Sequence, residues 1–396
     1  MSETRRLPLE GIVVAEFAHM VMGPACGMIL ADLGAEVIKI EPPDGEQTRQ
    51  LRGSGAGFFP TFNRNKKSIA LDLKHPEGRA AARQIVSQVD IVVENFRPGV
   101  MEELGLDYES LKAANPRLIY VSHKGYLPGP YEKRSALDEI VQMLSGLAYM
   151  TGPEGSPLRA GSSVNDIMGG MFGVIGALSA LRERDVTGQG QLVLSGLFEN
   201  SAFLVAQHIL QYAVTGTPAA PMPNRVSAWS VYDVFTLAGG EQMFLGLVSD
   251  AQWRTFCAAF DFAEFLSDPT LETNNQRVEQ RDRLMPAIRE RLAEVTREDA
   301  ERIFESLGLP FAPIGRPQDL PDNPHLRASG ALATIRPIPG GPTEAVTPIL
   351  PLIMDGERPS IRLQPPGVGE HTRELMSRFG FDEKAFKSLR ERGIVV

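Results

Sequence analysis

Residues 11–41 read GIVVAEFAHMVMGPACGMILADLGAEVIKIE. Gly11–Phe17 is a buried-strand pattern, Pro24–Leu33 a helix with proline in its first turn, and Glu36–Glu41 a second apolar strand. Strand, helix and strand within thirty-odd residues form a βαβ unit. The pattern continues outward. Ile69–Leu73 reads as a strand, Pro76 to about Val89 as a helix, and Ile91–Glu94 as a strand. Short helical pieces follow to Ala114, and Leu118–Ser122 closes the series. Alternating elements of this kind predict an α/β fold with an open, mostly parallel, Rossmann-like sheet covered on both faces.

Such a sheet invites a dinucleotide reading, with Glu41 at the ribose position. The first turn argues against it. Ala18–Ala25 (AHMVMGPA) holds one glycine followed by Pro24, a poor pyrophosphate cradle. Gly53–Gly57 follows no strand and reads as a loop.

A second informative stretch is Leu158–Leu181, LRAGSSVNDIMGGMFGVIGALSAL. Small residues lead to one acid, Asp166, and no charge follows until Arg182. Gly169, Gly170, Gly173 and Gly176 each weaken a helix by roughly 1 kcal/mol relative to alanine. Their presence suggests that another backbone or a ligand comes close. Asp166 is either a helix cap or a carboxylate nucleophile; spacing alone leaves both open.

At 396 residues the chain is long enough for two domains. A net charge of −9 argues against a general nucleic-acid binder while leaving room for a local basic pocket. Two cysteines, Cys26 and Cys257, form no disulfide framework and fit a cytoplasmic, reducing environment. The amino-terminal MSETRRLPLEG has no apolar signal core, and no stretch reads as a membrane span. The histidines show no metal-ligand spacing and there is no Cys-x-x-Cys, so no metal site is expected.

Further along, Leu197–Ala213 reads as one long helix, and Thr215–Pro223 as a Pro/Ala-rich break. Two strands at Val231–Leu237 and Gln242–Val248, then helices at Ala251–Phe260, Gln280–Glu294 and Arg297–Leu307, make a small α+β domain. The last segment, Leu326–Val396, is Pro-rich with a short helix at Thr372–Phe379. It is too short to stand alone and is expected to return to the first domain. The expected organisation is a large domain from 1–197 and 328–396, linkers at 198–227 and 315–327, and the small domain at 228–314.

Arg64, Lys66 and Lys67 precede the strand Ile69–Leu73. Lys74, Arg97 and Lys124 follow strands, at the rim where open parallel sheets bind ligands. Three cations there suit a polyphosphorylated ligand; a solvated face is the bland alternative.

In order, the segments Leu9–Pro43, Asn63–Gly78 (NRNKKSIALDLKHPEG), Val93–Tyr108 (VENFRPGVMEELGLDY), Asn115–Tyr126, Ala136–Gly146 (ALDEIVQMLSG), Gly161–Gly170 (GSSVNDIMGG) and Gly369–Thr372 resemble the family III CoA-transferases, over nearly the whole chain. The resemblance implies that Asp166 matches the family's nucleophile. It implies CoA contacts at His19, Val21, Met22, Leu71, Lys74, Asn95, Phe96, Arg97, Lys124 and Arg134. CoA is then a cosubstrate, with no permanently bound cofactor. It also implies an interlocked homodimer acting on acyl-CoA and small carboxylic acids, with neither membrane nor nucleic acid as partner.

The oxalate enzyme of the family has glutamine at the position of Val21, arginine at that of Glu103, and a glycine-run loop without counterpart between Pro223 and Gly240. The stretches Ser122–Gln142 and Asn224–Phe235 are more similar to enzymes of C4–C5 dicarboxylates, the succinyl-CoA:mesaconate type above all. An acyl-CoA racemase of the same fold and a formyl-CoA:oxalate-type transferase are the alternatives, and a non-catalytic CoA binder is a third.

Aspartyl chemistry needs no general base, because carboxylates and a thiolate do the attacking. His19 is a candidate contact for the acyl group or pantetheine, and His123 for the acceptor carboxylate. Arg225 and Tyr232 are further candidates for a second carboxylate. Asp138, Glu139 and Glu199 compete for the nucleophile's role. One of the first two is expected to build the wall of the site, and Glu199 to pair with a cation. His75, His208, His325 and His371 read as structural or surface residues.

Overall fold

The computed structural model describes residues 6–225, 227–336 and 343–396. The first five residues, Val226 in the first expected linker, and 337–342 in the Pro-rich run lie outside that description. The chain divides into two compact units, one of 1–223 with 324–396 and one of 224–323.

The first unit is built on six parallel strands: β1 (Val13–Phe17), β2 (Glu36–Glu41), β3 (Lys66–Ala70), β4 (Ile91–Glu94), β5 (Ile119–Lys124) and β6 (Leu192–Gly196). Their order is β3-β2-β1-β4-β5-β6, so the winding reverses beside β1. The mostly parallel α/β sheet expected from the sequence is therefore present. Side chains alternate across the strands. Val14, Val37, Ile91, Val93, Ile119 and Val121 face one layer, which holds helices α1 (Met22–Asp32) and, later in the chain, Val164–Thr187. Ala15, Phe17, Ile38, Ile40, Ile69 and Val92 face the other. There they meet α2 (Pro76–Val86) and side chains of the last residues, Leu375, Met376, Phe379, Phe386 and Leu389. Those residues sit on or beside the helices Thr372–Arg378 and Glu383–Glu391, the second of which the sequence reading missed.

Several elements are displaced from their expected places. The strand read at Ile69–Leu73 runs over Lys66–Ala70, because Val37 to Glu41 pair residue for residue with Lys66 to Ala70. Lys66 and Lys67 are strand residues rather than loop cations, and Lys66 is fully buried. Arg64 is buried against Asp32 at 2.7 Å. Leu71 leaves the sheet to bridge Val395. The long helix expected over Leu197–Ala213 is two, broken at Val205: Leu197–Leu204 and Ala206–Thr215. Edge strand β6 and the hairpin of Leu332–Ile335 with Ala345–Pro348 were not foreseen.

Helices α3 (Asp138–Ser145) and α4 (Val164–Thr187) complete the parts that matter below. On length and composition α4 is apolar enough to cross a membrane, against the reading that no stretch is. Here it packs on β5, β6 and α1. Its glycines explain how. A Cβ at Gly170 would lie 2.8 Å from the Met22 carbonyl oxygen and 2.8 Å from Ala25 Cβ. At Gly173 it would lie 2.4 Å from His123 Cε1. At Gly170 the close neighbour is the backbone of α1, and at Gly169, Gly173 and Gly176 it is side chains.

The second unit packs a three-stranded sheet, Val231–Thr236, Gln242–Leu247 and Phe311–Pro313, against helices at Asp250–Ala259, Arg281–Leu292 and Arg297–Ser306. Its core includes Phe235, Leu245, Trp253, Phe256, Ile288 and Phe304.

Replacing Gly170 by alanine gains helix propensity but overpacks the α1–α4 contact. Gly170→Ala is expected to destabilise by about 1–3 kcal/mol, read as a lower melting midpoint. Gly57→Ala, whose Cβ meets nothing within 4 Å, serves as the neutral control.

Candidate active site at the start of helix α4

Asp166 stands in the first turn of α4. A first-turn acid ordinarily serves its own helix end, but another carboxylate serves this one. Asp138, buried in the first turn of α3, accepts hydrogen bonds from the backbone N–H of Asn165 (2.8 Å) and of Asp166 (3.0 Å) through the same Oδ2. Its other oxygen accepts from the Gln142 side-chain amide. Gln142 in turn accepts from the Ala160 N–H at 2.8 Å, fixing the approach to α4. Below, Asn165 donates to the Ser201 hydroxyl (3.2 Å), which lies 2.6 Å from that of Ser145. Asp138 is thus the member of the Asp138–Glu139 pair that builds the wall; Glu139 is exposed and pairs with Arg159.

With its helix end capped from outside, the Asp166 carboxylate takes no hydrogen bond among the described residues. Burial, then the like charge of Asp138, raises its pKa to about 7, with Arg159 opposing. Its neutral form is thereby favoured relative to that of an ordinary carboxylate. A carboxylate of that basicity is a better nucleophile than one of ordinary pKa. The surroundings also favour any neutral, acylated form of Asp166 over the free anion. One turn on, the Cβ position at Gly169 is 2.3 Å from the Met22 methyl and 2.7 Å from Asn200 Nδ2. The start of α1 therefore lies close beside Asp166's helix.

The carboxyl ends of β1 and β4, where the winding reverses, are clamped together. Asn95 accepts from the His19 N–H (3.0 Å) and donates to the His19 carbonyl (2.8 Å). The His19 ring sits 5.6 Å from that of Phe96, and burial lowers its pKa. This is the crevice where open α/β sheets hold ligands. Arg97 follows directly and is exposed; Lys74 is exposed beyond β3. Lys124, at the end of β5, is held at 2.9 Å by Glu94. Arg134 is exposed and stacks 3.8 Å over the Tyr131 ring. Val21, Met22 and Leu71 have buried side chains, Val21 against Ala25 and Phe62, Met22 against Tyr126 and Leu197, and Leu71 in the sheet core.

His123 is buried against Gly173 and Cys26, with both ring nitrogens unpartnered among the described residues and its pKa pushed to about 3. A neutral, enclosed ring is no receptor for a carboxylate. Glu199 pairs not with a cation but with the Leu127 N–H, at 3.1 Å. Arg225 and Tyr232 belong to the second unit. Among the described residues no cluster of His, Cys, Asp or Glu suits a metal ion.

The family model for CoA-transferase family III matches residues 9–372. A succinate–glutarate CoA-transferase of Agrobacterium fabrum is 32% identical over 94% of this chain and 96% of its own length. A succinyl-CoA:mesaconate CoA-transferase of Haloarcula hispanica is 30% identical over 94% and 96%. A crystal structure of a CaiB/BaiF family protein from Brucella suis superposes with a TM-score of 0.82 at 30% identity, over 95% of this chain and all of that one.

Because the pKa of Asp166 is higher folded than unfolded, its contribution favours the folded state at low pH. That contribution is lost as pH rises from about 4 to about 7. Asp166→Asn is therefore expected to melt above the unaltered protein at pH 8, by on the order of 1–3 kcal/mol. The gap should close toward pH 4, as followed by thermal melts across that range.

Proposed function

The chain belongs to CoA-transferase family III, and on that footing we propose that it moves CoA from succinyl-CoA to a small dicarboxylic acid of four or five carbons, such as mesaconate, through a thioester on Asp166. One observation carries the reading: an unpaired carboxylate of raised pKa at a helix start whose N–H groups a second carboxylate already holds. The choice of acids is supported by the relatives named for succinyl-to-glutarate and succinyl-to-mesaconate exchange.

In the proposed sequence an Asp166 oxygen attacks the acyl carbon of the donor thioester and the CoA thiolate departs, leaving a mixed anhydride. The thiolate attacks the aspartyl carbonyl, the bond from that carbon to the bridging oxygen breaks, and the donor acid leaves with that oxygen. The acceptor carboxylate then attacks the aspartyl thioester and expels the thiolate. The thiolate attacks the acceptor's carbonyl, and Asp166 is regenerated. Every attacking group is a carboxylate or the thiolate, so no protein base is required. Arg97 and Lys74 offer exposed cations for the phosphates of CoA, and His19 and the Asn95–Phe96 turn border the arm's path.

A homodimer is part of the proposal. Helices α3 and α4 and the two that follow expose Ile140, Met143, Met171, Ile175, Phe203 and Ile209. An apolar area of that extent calls for a covering partner, and a second copy supplies it. Light scattering on the eluted protein is expected to give the mass of a dimer.

Asp166→Ala is expected to abolish transfer while preserving fold and CoA affinity. Hydroxylamine should release CoA from enzyme incubated with donor alone, modifying the peptide that holds Asp166. A dead Asp138→Ala beside an active Asp166→Ala would overturn the assignment. Exchange of the acyl-CoA α-proton with heavy water in the absence of any acid would instead mark a racemase.

A further inference from the structure

The turn Ala18–Met20 is held in a way that its own sequence does not require. Met20 adopts a left-handed φ of +63°, costly for a residue with a side chain. Its N–H donates to the Thr48 hydroxyl at 3.0 Å. That hydroxyl donates to Glu46 Oε2 at 3.0 Å. Glu46 Oε1 lies 2.9 Å from Lys39 Nζ, and Lys39 donates to the Ala18 carbonyl at 2.8 Å. The chain of contacts leaves the turn at Ala18 and re-enters it at Met20. All three side chains are buried, Lys39 completely. Glu16 supports the lysine from below at 3.4 Å, and the Glu46 N–H is anchored on Glu41 at 3.0 Å. Asn95 already fixes both backbone groups of His19, the residue between.

We infer that Lys39, Glu46 and Thr48 form a positioning relay that sets the His19–Met22 turn for the CoA thioester, with Thr48 joining the buried ion pair to the strained residue. None of the three is placed at the substrate; each acts through the turn. A buried ion pair alone is weak evidence for stability, since its desolvation offsets much of its attraction. A fixed geometry is what this one supplies, at the place where an unfavourable backbone conformation has to be held. The inference rests on the proposed function for the turn's role, but not for the relay's existence.

The test compares Thr48→Val, which keeps the shape and removes the hydroxyl, with Thr48→Ser, which keeps the hydroxyl. Three quantities are measured on each full-length protein: hydrogen exchange of the Ala18–Met22 segment, affinity for CoA, and kcat and KM for the acyl-CoA. Thr48→Val is expected to speed exchange in the segment at least tenfold, and to weaken CoA binding and raise KM about five- to tenfold. The melting midpoint should move by only a few degrees. Thr48→Ser is expected to restore all of these. Unchanged exchange or unchanged affinity in Thr48→Val overturns the relay, as does a Thr48→Ser protein as impaired as Thr48→Val. Should the unaltered protein transfer CoA between no pair of acids, the proposed function falls, while exchange and CoA affinity still decide on the relay.

Discussion

Two carboxylates meet at the start of α4, and the helix end can satisfy only one of them. Asp138 takes the free N–H groups of Asn165 and Asp166. Asp166, left without a donor and close to a like charge, is pushed toward its neutral form. Had Asp166 turned back to cap its own helix, its carboxylate would be stabilised as an anion. The rest of the first unit serves that division. Gln142 pins Asp138 and the incoming strand of chain at Ala160, and glycines let α1 close against α4. Met22, at the start of α1 just after the His19 turn, is thereby brought against Gly169 and Gly170 of α4.

That geometry stands on a sheet with buried charges on three adjacent strands. Glu16, Lys39 and Lys66 are buried on β1, β2 and β3. Lys66 binds Glu16 at 2.7 Å and donates to the Pro24 carbonyl at 2.9 Å and to Asn63 at 3.1 Å. Gly27 allows this, because a Cβ there would lie 1.8 Å from Glu16 Oε2. Lysines and glutamates stay in such a place only when each charged atom finds a partner. Here the partners include backbone carbonyls on both sides of the turn after β1, so the same charges that join three strands also fix that turn.

Much of this was legible in the sequence because it is periodic. The apolar strands of residues 11–41, the helix behind Pro76 and the strand Ile91–Glu94 announce themselves by pattern, and their alternation leads to a parallel sheet. The glycines of α4 announced close neighbours, which are the backbone of α1 at Gly170 and side chains at Gly169, Gly173 and Gly176. What stayed hidden depends on contacts distant in sequence. The Lys66–Ala70 strand is hard to place from sequence because its first residue is a lysine, and its pairing with Glu16 and the Pro24 carbonyl, both distant in sequence, makes a buried lysine tolerable there. Asp138 reads as one acid in SALDEIVQ, and nothing local says that it caps a helix almost thirty residues away. His123, a candidate for the acceptor carboxylate, is instead an enclosed ring, and Glu199, expected to pair with a cation, accepts from the Leu127 N–H; both outcomes depend on neighbours distant in sequence. The edge strand β6 is short and directly precedes a helix, so no turn marks it off.

Oxygen bookkeeping offers the most direct test of the aspartyl mechanism. In the proposed sequence the acceptor acid leaves one of its carboxylate oxygens on Asp166 at each turnover. Trypsin separates the relevant acids, since Asp166 is the sole acid between Arg159 and Arg182, whereas Asp138 lies between Arg134 and Arg159. After turnover with an acceptor labelled in its carboxylates with heavy oxygen, the account predicts heavy oxygen in the 160–182 peptide and none in the 135–159 peptide. Label in the Asp138 peptide, or a fully unlabelled 160–182 peptide after many turnovers, would contradict it.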